Sequence, residues 1–343
     1  MKEVLLSVVM PVYNRKEFVV EMIYSIIAQT LTDWELLAVD DGSDDGVIEE
    51  LEKIANIDRR ISLLRRDRLP KGAQTCRNIG MLKARGQYIM ILDSDDYLPN
   101  YCFEQRVSYL RNHPELDFAV FPYVSFNVEP WDKPHGMCGG VDIDGDDLSR
   151  FVYGCVPFVV WNNIYRRDSL VNNNRMWDER IKSLQDADFN MQCILAGMKY
   201  EYASGVKVDY FFRTGGSNKS RISKKICTKD HFESHLYYLK KIFLTIPNNW
   251  QKTHKSVMRW CIVHKFLIGI DNWDNDYVAG LLKIADEYHA GGCLRIKFGV
   301  FKFLKNSFGI SQKILSNTVF PLYRRQIRKD SRNRRIVINN IGK

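Results

Sequence analysis

Over the first 92 residues, short apolar runs alternate with stretches of helical periodicity, and this alternation narrows the architecture more than any other feature. Leu5 to Met10 reads as a first strand, stopped at Pro11, and Lys16 to Gln29 as a helix with Phe18, Met22, Ile23, Ile26 and Ile27 on its apolar face. Leu36 to Val39, Ile61 to Leu64 and Tyr88 to Leu92 read as further strands, with helices expected over Val47 to Ala55 and Gly72 to Ala84. Strands joined by helices of this length imply parallel βαβ units. In such open sheets, ligands bind beyond the carboxyl ends of the strands.

Those ends are where the polar residues gather. Tyr88 to Leu92 runs straight into Asp93-Ser94-Asp95-Asp96, and the second strand ends at Asp40-Asp41-Gly42-Ser43. If Asp93-Ser94-Asp95 stays extended, the two outer carboxylates point the same way. Like charges held that close call for compensation, for which a divalent cation is the natural candidate. The alternative is a polar loop whose aspartates cap the next helix.

The bulk properties exclude several classes. The chain has 343 residues, 45% of them hydrophobic, enough for a large domain with an appendage. Its eight cysteines are scattered, without a Cys-x-x-Cys pair, which argues against a zinc site or disulfide framework and for a reducing compartment. No signal-peptide core precedes Pro11, and no apolar run approaches the length of a membrane span. A cytoplasmic location is therefore expected. The net charge of +9 is unevenly placed: Gly291 to Lys343 holds 13 Lys plus Arg against one acid, Asp330, leaving −3 on the rest. A mildly acidic body thus ends in a strongly basic segment.

From about Phe121 to Gly154 periodicity fades and Pro, Gly and Asp accumulate, which reads as a long connection or irregular insert. Thr228 to Leu244, Gln251 to Ile270 and Asp276 to His289 read as three helices of an appendage. The expected division is 1–220, an α/β body; 221–290, a helical region; and 291–343, a basic amphipathic segment.

Taken in order, Ser7-Val8-Val9-Met10-Pro11-Val12-Tyr13-Asn14, Val39-Asp40-Asp41-Gly42-Ser43, Arg77-Asn78-Ile79-Gly80 and Leu92-Asp93-Ser94-Asp95-Asp96 resemble the motifs of family 2 inverting glycosyltransferases, which have the GT-A fold. The resemblance covers roughly the first 100 residues closely and fades by about residue 220. It implies a mostly parallel, Rossmann-like α/β sheet flanked by helices, here followed by a C-terminal helical appendage. It also implies transfer of a sugar from a nucleotide-sugar, with a UDP-sugar as the expected donor and Mn²⁺ or Mg²⁺ as cofactor.

The site residues follow from the same resemblance. Asp93 would face the nucleotide ribose and share the metal site with Asp95, the principal metal ligand, with Ser94 between them. Asp41 would accept a hydrogen bond from the base, since an ionised carboxylate suits a ring N–H. Pro11 and Tyr13 would line that pocket, and Arg77 would reach the diphosphate or hold Asp93. The general base would be Asp186, in Ser183-Leu184-Gln185-Asp186-Ala187-Asp188-Phe189, with Asp188 as the substitute if the register differs. The family's usual Glu-Asp pair has become Gln185-Asp186, which puts the orientation of that carboxylate in question.

Trp161-Asn162-Asn163-Ile164-Tyr165-Arg166 resembles stretches near acceptor sites, and Arg213 with Gly215 to Lys219 resembles a segment that folds over the diphosphate. The acceptor would be a glycan or lipid-linked glycan. The basic segment has two readings: an anionic membrane surface as partner, placing the protein peripherally on the inner face of the membrane, or a core-packed helix followed by a solvated tail. No nucleic-acid recognition motif accompanies the charge. Two other functions remain open. A sugar-phosphate nucleotidyltransferase expects a Gly-rich loop after the first strand, where this chain has Pro11-Val12-Tyr13-Asn14. A degenerate glycosyltransferase would only bind nucleotide or scaffold a glycan-assembly complex, and Gln185 keeps that reading alive.

Overall fold

The computed structural model describes residues 4–133, 138–143, 145–215, 228–269 and 275–340. Strands β1 (Leu6–Val12), β2 (Trp34–Asp40), β3 (Ile61–Arg65) and β4 (Tyr88–Ile91) alternate with helices α1 (Lys16–Ile27), α2 (Val47–Ile57) and α3 (Ala73–Lys83). They pair in parallel, in the order β3-β2-β1-β4. Helix α4 (Cys102–Asn112) then leads to β5 (Phe118–Val120), β8 (Asn163–Arg166) and β9 (Tyr200–Tyr202), which complete a seven-stranded sheet of order β3-β2-β1-β4-β8-β5-β9. Only β8 runs against its neighbours.

The inner strands β1, β2 and β4 are buried on both faces, which is why they read as largely continuous apolar runs. Leu6, Val8, Met10 and Val12 pack with α1, α2 and α4, whereas Val9, Ile89 and Ile91 join a second core shared with the C-terminal helices. The first strand does not stop at Pro11. It continues to Val12, and Pro11 pairs only with Val39 of β2, beyond the last β4 partner at Val9. A proline is tolerated where ladder pairing on one side has ended.

The stretch expected to be an irregular insert holds β6 (Tyr123–Phe126), β7 (Cys138–Gly139) and α5 (Asp147–Tyr153). β6 pairs with β10 (Tyr210–Arg213), far along the chain, in a small sheet of order β10-β6-β7. Strands this short, whose partner lies so distant, leave no local periodic signal. After α6 (Arg167–Asn172) and α7 (Gln185–Leu195) come α8 (Lys229–Thr245), α9 (Asn248–Thr253), α10 (Lys255–Gly269) and α11 (Asn275–Glu287). The single helix expected over Gln251 to Ile270 is thus interrupted at His254, whose ring stacks on Trp250 with centroids 4.1 Å apart.

The basic segment forms α12 (Leu294–Phe308), α13 (Gln312–Val319) and α14 (Pro321–Asn340). It is not a solvated tail over its described length. Phe298 stacks on Phe266 of α10 at 3.8 Å, Asp330 of α14 accepts a hydrogen bond from the buried Tyr153 hydroxyl, and Ile338 enters the core of the small sheet. All seven described cysteines are free. No described helix is long and apolar enough to cross a membrane.

Candidate active site

The carboxyl rim of the parallel strands is stitched together before any ligand arrives. The Asp41 amide donates to the Val12 carbonyl (2.8 Å), the Asn14 amide to Ser43 Oγ (2.9 Å) and the Asp44 amide to Asn14 Oδ1 (2.9 Å). Asn14 and Arg15 both adopt the left-handed conformation, φ 55° and 63°, which turns the chain sharply from β1 into α1. Helix α3 lies unusually close to the sheet: a Cβ on Gly80 would come within 2.5 Å of Val9 Cγ1. That approach seats Arg77, one helical turn earlier, at the strand ends.

Arg77 is the hub. Its guanidinium lies over the Trp177 ring (4.3 Å), donates to Asp93 Oδ1 (2.8 Å) and Gln185 Oε1 (3.0 Å), and sits 3.6 Å from Asp186 Oδ1. The segment before α7 is fastened to α3 by Asn78, which bonds both the carbonyl and the amide of Trp177 (3.0 and 2.9 Å). Gln185 is fully engaged: its amide nitrogen donates to Gln74 Oε1 (2.8 Å) and the Lys182 carbonyl (3.1 Å) while its oxygen accepts from Arg77. A glutamate there could accept from Arg77 but could not make the two donations. The glutamine therefore fixes the start of α7 rather than loosening it.

Asp186 is half-buried. Burial pushes its carboxyl up to about 6, Arg77 opposes the rise, and the charge of Asp93 adds to it. Asp186 Oδ1 and Arg77 Nε are both buried without a hydrogen-bond partner. Asp188, the alternative by register, points elsewhere. It pairs with Lys241 of α8 (2.7 Å), which also holds Asp178 (3.1 Å), so it ties the helical region to the body.

The remaining candidates line the same rim. Asp93 and Asp95 are half-buried, and each meets an arginine, Arg77 for Asp93 and Arg15 for Asp95. Ser94 lies half-buried between them. Asp96, next in the chain, is held differently. It is fully buried, accepting from the Tyr210 hydroxyl (2.7 Å) and the Arg213 amide (2.8 Å), and burial followed by the charges of Asp95 and Asp93 pushes its carboxyl well up. It locks the acidic loop to β10.

Asp41 is buried and accepts through Oδ1 from Arg66 Nε (2.6 Å) and the Gly72 amide (3.1 Å). Pro11 is partly buried at the end of β1, and Tyr13 leaves 47% of its surface exposed, with Lys71 Nζ 3.9 Å from its ring centroid.

Of two further expected stretches, one packs into the core and the other borders the acidic loop. Trp161 is buried, stacked on Tyr210 (4.2 Å) and Phe212 (5.6 Å), so it is a core residue and not an acceptor platform. Arg213 is buried and bonds Glu21 (2.6 Å) and the Asp95 carbonyl (3.1 Å), which anchors it beneath the acidic loop; Gly216 to Lys219 lie outside the described residues. Sequence reasoning missed Arg15, Arg66 and Trp177. Arginine is common on surfaces and a lone tryptophan is ordinarily core, so only the folded positions reveal their partners.

Among the described residues no three ligating side chains converge. Two carboxylates, Asp93 and Asp95, do share one loop. Such a pair of hard oxygen donors suits a small divalent cation, whose shell substrate phosphates and water commonly complete.

A mostly parallel sheet with its carboxylates gathered on one rim, and a smaller sheet beside it, defines an α/β protein of the GT-A class. Residues 7–173 match the model of Glycosyl transferase family 2. It is 28% identical over 243 residues to the uncharacterized glycosyltransferase EpsJ of Bacillus subtilis, covering 67% of each chain. It is 25% identical over 231 residues to the poly(ribitol-phosphate) beta-N-acetylglucosaminyltransferase TarS of Staphylococcus aureus, covering 66% of this chain and 38% of TarS. Across four curated relatives it spans 38% to 67% of their length.

In fold it resembles S. aureus TarS 1–349 in complex with UDP-GlcNAc, with a TM-score of 0.62 at 18% identity over 98% of this chain and 90% of that one. The mannosyltransferase PcManGT of Pyrobaculum calidifontis, in complex with GDP-Man and Mn²⁺, gives 0.53 at 13% identity over 98% and 86%.

Proposed function

We propose that this chain is a metal-dependent inverting glycosyltransferase that moves a sugar from a UDP-sugar to a hydroxyl of a glycan or lipid-linked glycan. The observation that carries the reading is the single Arg77 guanidinium, which reaches both Asp93 at the end of β4 and Asp186 at the start of α7. One cation thus couples a donor-side carboxylate to a carboxylate placed for base catalysis.

In this reading the exposed Tyr13 ring and Asp41 receive the nucleoside, and Asp93 and Asp95 hold the divalent cation. When bound, that cation neutralises the charge developing on the departing diphosphate. Asp186 takes the proton from the acceptor hydroxyl as the oxygen attacks the anomeric carbon from the face opposite the diphosphate; the C–O bond to diphosphate breaks and the configuration inverts. Its raised pKa suits the role, because a base that titrates near the working pH is both ionised and proton-hungry. That a neighbour in fold, TarS 1–349, is in complex with UDP-GlcNAc supports the choice of a uridine donor.

Two measurements test this. Turnover of UDP-sugars should require Mn²⁺ or Mg²⁺ and fall to background with chelator; equal rates in both would remove the metal from the scheme. The pH profile should show an acidic limb near 6, losing about tenfold per pH unit below it, because the base must be deprotonated. In Arg77→Gln the opposing positive charge is gone, so the carboxyl rises further and the limb moves to higher pH. A limb that stays fixed in this variant would show that another group is titrating.

A further inference from the structure

We propose that the outer face of α12, with the basic face of α14, docks the protein in the plane of an anionic lipid bilayer. This goes beyond the transferase reading and does not depend on it.

Helix α12 carries apolar residues on two faces. Leu294, Phe298 and Phe301 turn inward, and the stack of Phe298 on Phe266 fixes the helix to the body. Ile296, Val300, Phe303 and Phe308 turn outward, 71%, 44%, 60% and 65% exposed. The first three fall at i, i+4 and i+7, on one stripe, and the Phe308 ring leans on Phe303 with centroids 6.0 Å apart. Exposed apolar residues scattered singly need no explanation, but a stripe of large ones on an immobilised helix marks an interaction surface.

Charge identifies the occupant. From Gly291 onward the only acid is Asp330, and it is 2% exposed, accepting from the Tyr153 hydroxyl and the Gln326 amide. Every exposed ionised side chain described in this segment is therefore positive. Arg325, Lys329 and Arg332 lie at i, i+4 and i+7 on the open side of α14, where Leu322 and Ile336 are also exposed. Exposed apolar side chains interleaved with cations along both helices match a surface with phosphates outside and acyl chains just beneath. A nucleic acid would use the cations, and a single strand could stack on the phenylalanines, but neither would cover the aliphatic Ile296, Val300, Leu322 and Ile336. With 15 residues, α12 is short for a span, so it would lie in the interface plane.

Co-sedimentation of the full chain with vesicles tests the proposal without requiring turnover. Binding to phosphatidylglycerol vesicles should exceed binding to phosphatidylcholine vesicles by about tenfold or more and weaken as salt rises. Phe303→Ser with Phe308→Ser, and separately Arg325→Glu with Lys329→Glu, should each reduce the bound fraction several-fold. Both pairs are surface substitutions, and unchanged circular dichroism will establish that they fold. Three results would overturn the proposal: no preference for phosphatidylglycerol, full binding by the phenylalanine variant, or self-association through this face in light scattering that the phenylalanine substitutions abolish.

Discussion

Asp186→Asn is expected to lower kcat by about 10²–10⁴-fold, the usual range for loss of a positioned general base, while the Kd for UDP stays within a few-fold of wild type. The substitution keeps shape and removes only the ionisable oxygen. Its neighbours should hold, because Gln185 rather than Asp186 makes the hydrogen bonds that fix the start of α7. Calorimetric UDP binding beside steady-state turnover separates the two effects. The contrasting variant is Asp188→Asn, which weakens the contact to Lys241 and should lower stability instead of kcat. If Asp186→Asn leaves turnover intact, the base lies elsewhere. If the wild type binds UDP and transfers nothing across a broad acceptor panel, the chain is a nucleotide-binding scaffold.

Arg106→Met should cost roughly 3–5 kcal/mol in denaturant unfolding, because it strands a buried charge. Arg106 and Asp209 are both fully inaccessible, paired at 2.7 Å, and Arg106 also donates to the Trp161 carbonyl (2.9 Å). The pair joins α4 to the start of β10, where the next residue, Tyr210, holds Asp96 under the acidic loop. Loss of the pair should therefore loosen Asp93 and Asp95 as well as the core. Replacing both partners with apolar residues should recover much of the stability, since the larger penalty is the unpaired charge and not the missing attraction. A single variant that unfolds within about 1 kcal/mol of wild type would contradict this account.

The β1–α1–β2–α2–β3–α3–β4 series was legible because each of its elements is local: a strand buried on both faces is a continuous apolar run, and α1 and α2 each show an apolar stripe. The carboxylates Asp41, Asp93 and Asp95 were legible for the same reason, each falling where a readable strand ends. The small sheet was not, because β6 is defined by pairing with β10, more than eighty residues away. Trp161 admitted two readings, a buried core residue, the commoner one, and part of an acceptor site, since an aromatic beside asparagines reads alike in both. Between Asp186 and Asp188, two carboxylates in one helical turn, the choice rests on what each meets in space: Arg77 for one, Lys241 for the other.

Periodicity and composition by themselves determined the strand–helix alternation, the rim on which acids collect, and the sign of the charge after Gly291, because all three are properties of contiguous residues. Tertiary structure alone decided that one arginine joins α3 to α7, that Asp96 is a strut, that Asp330 is hidden, and which phenylalanines of α12 face outward. Each of these is a contact between segments distant along the chain, and such contacts exist only once packing has chosen which faces meet.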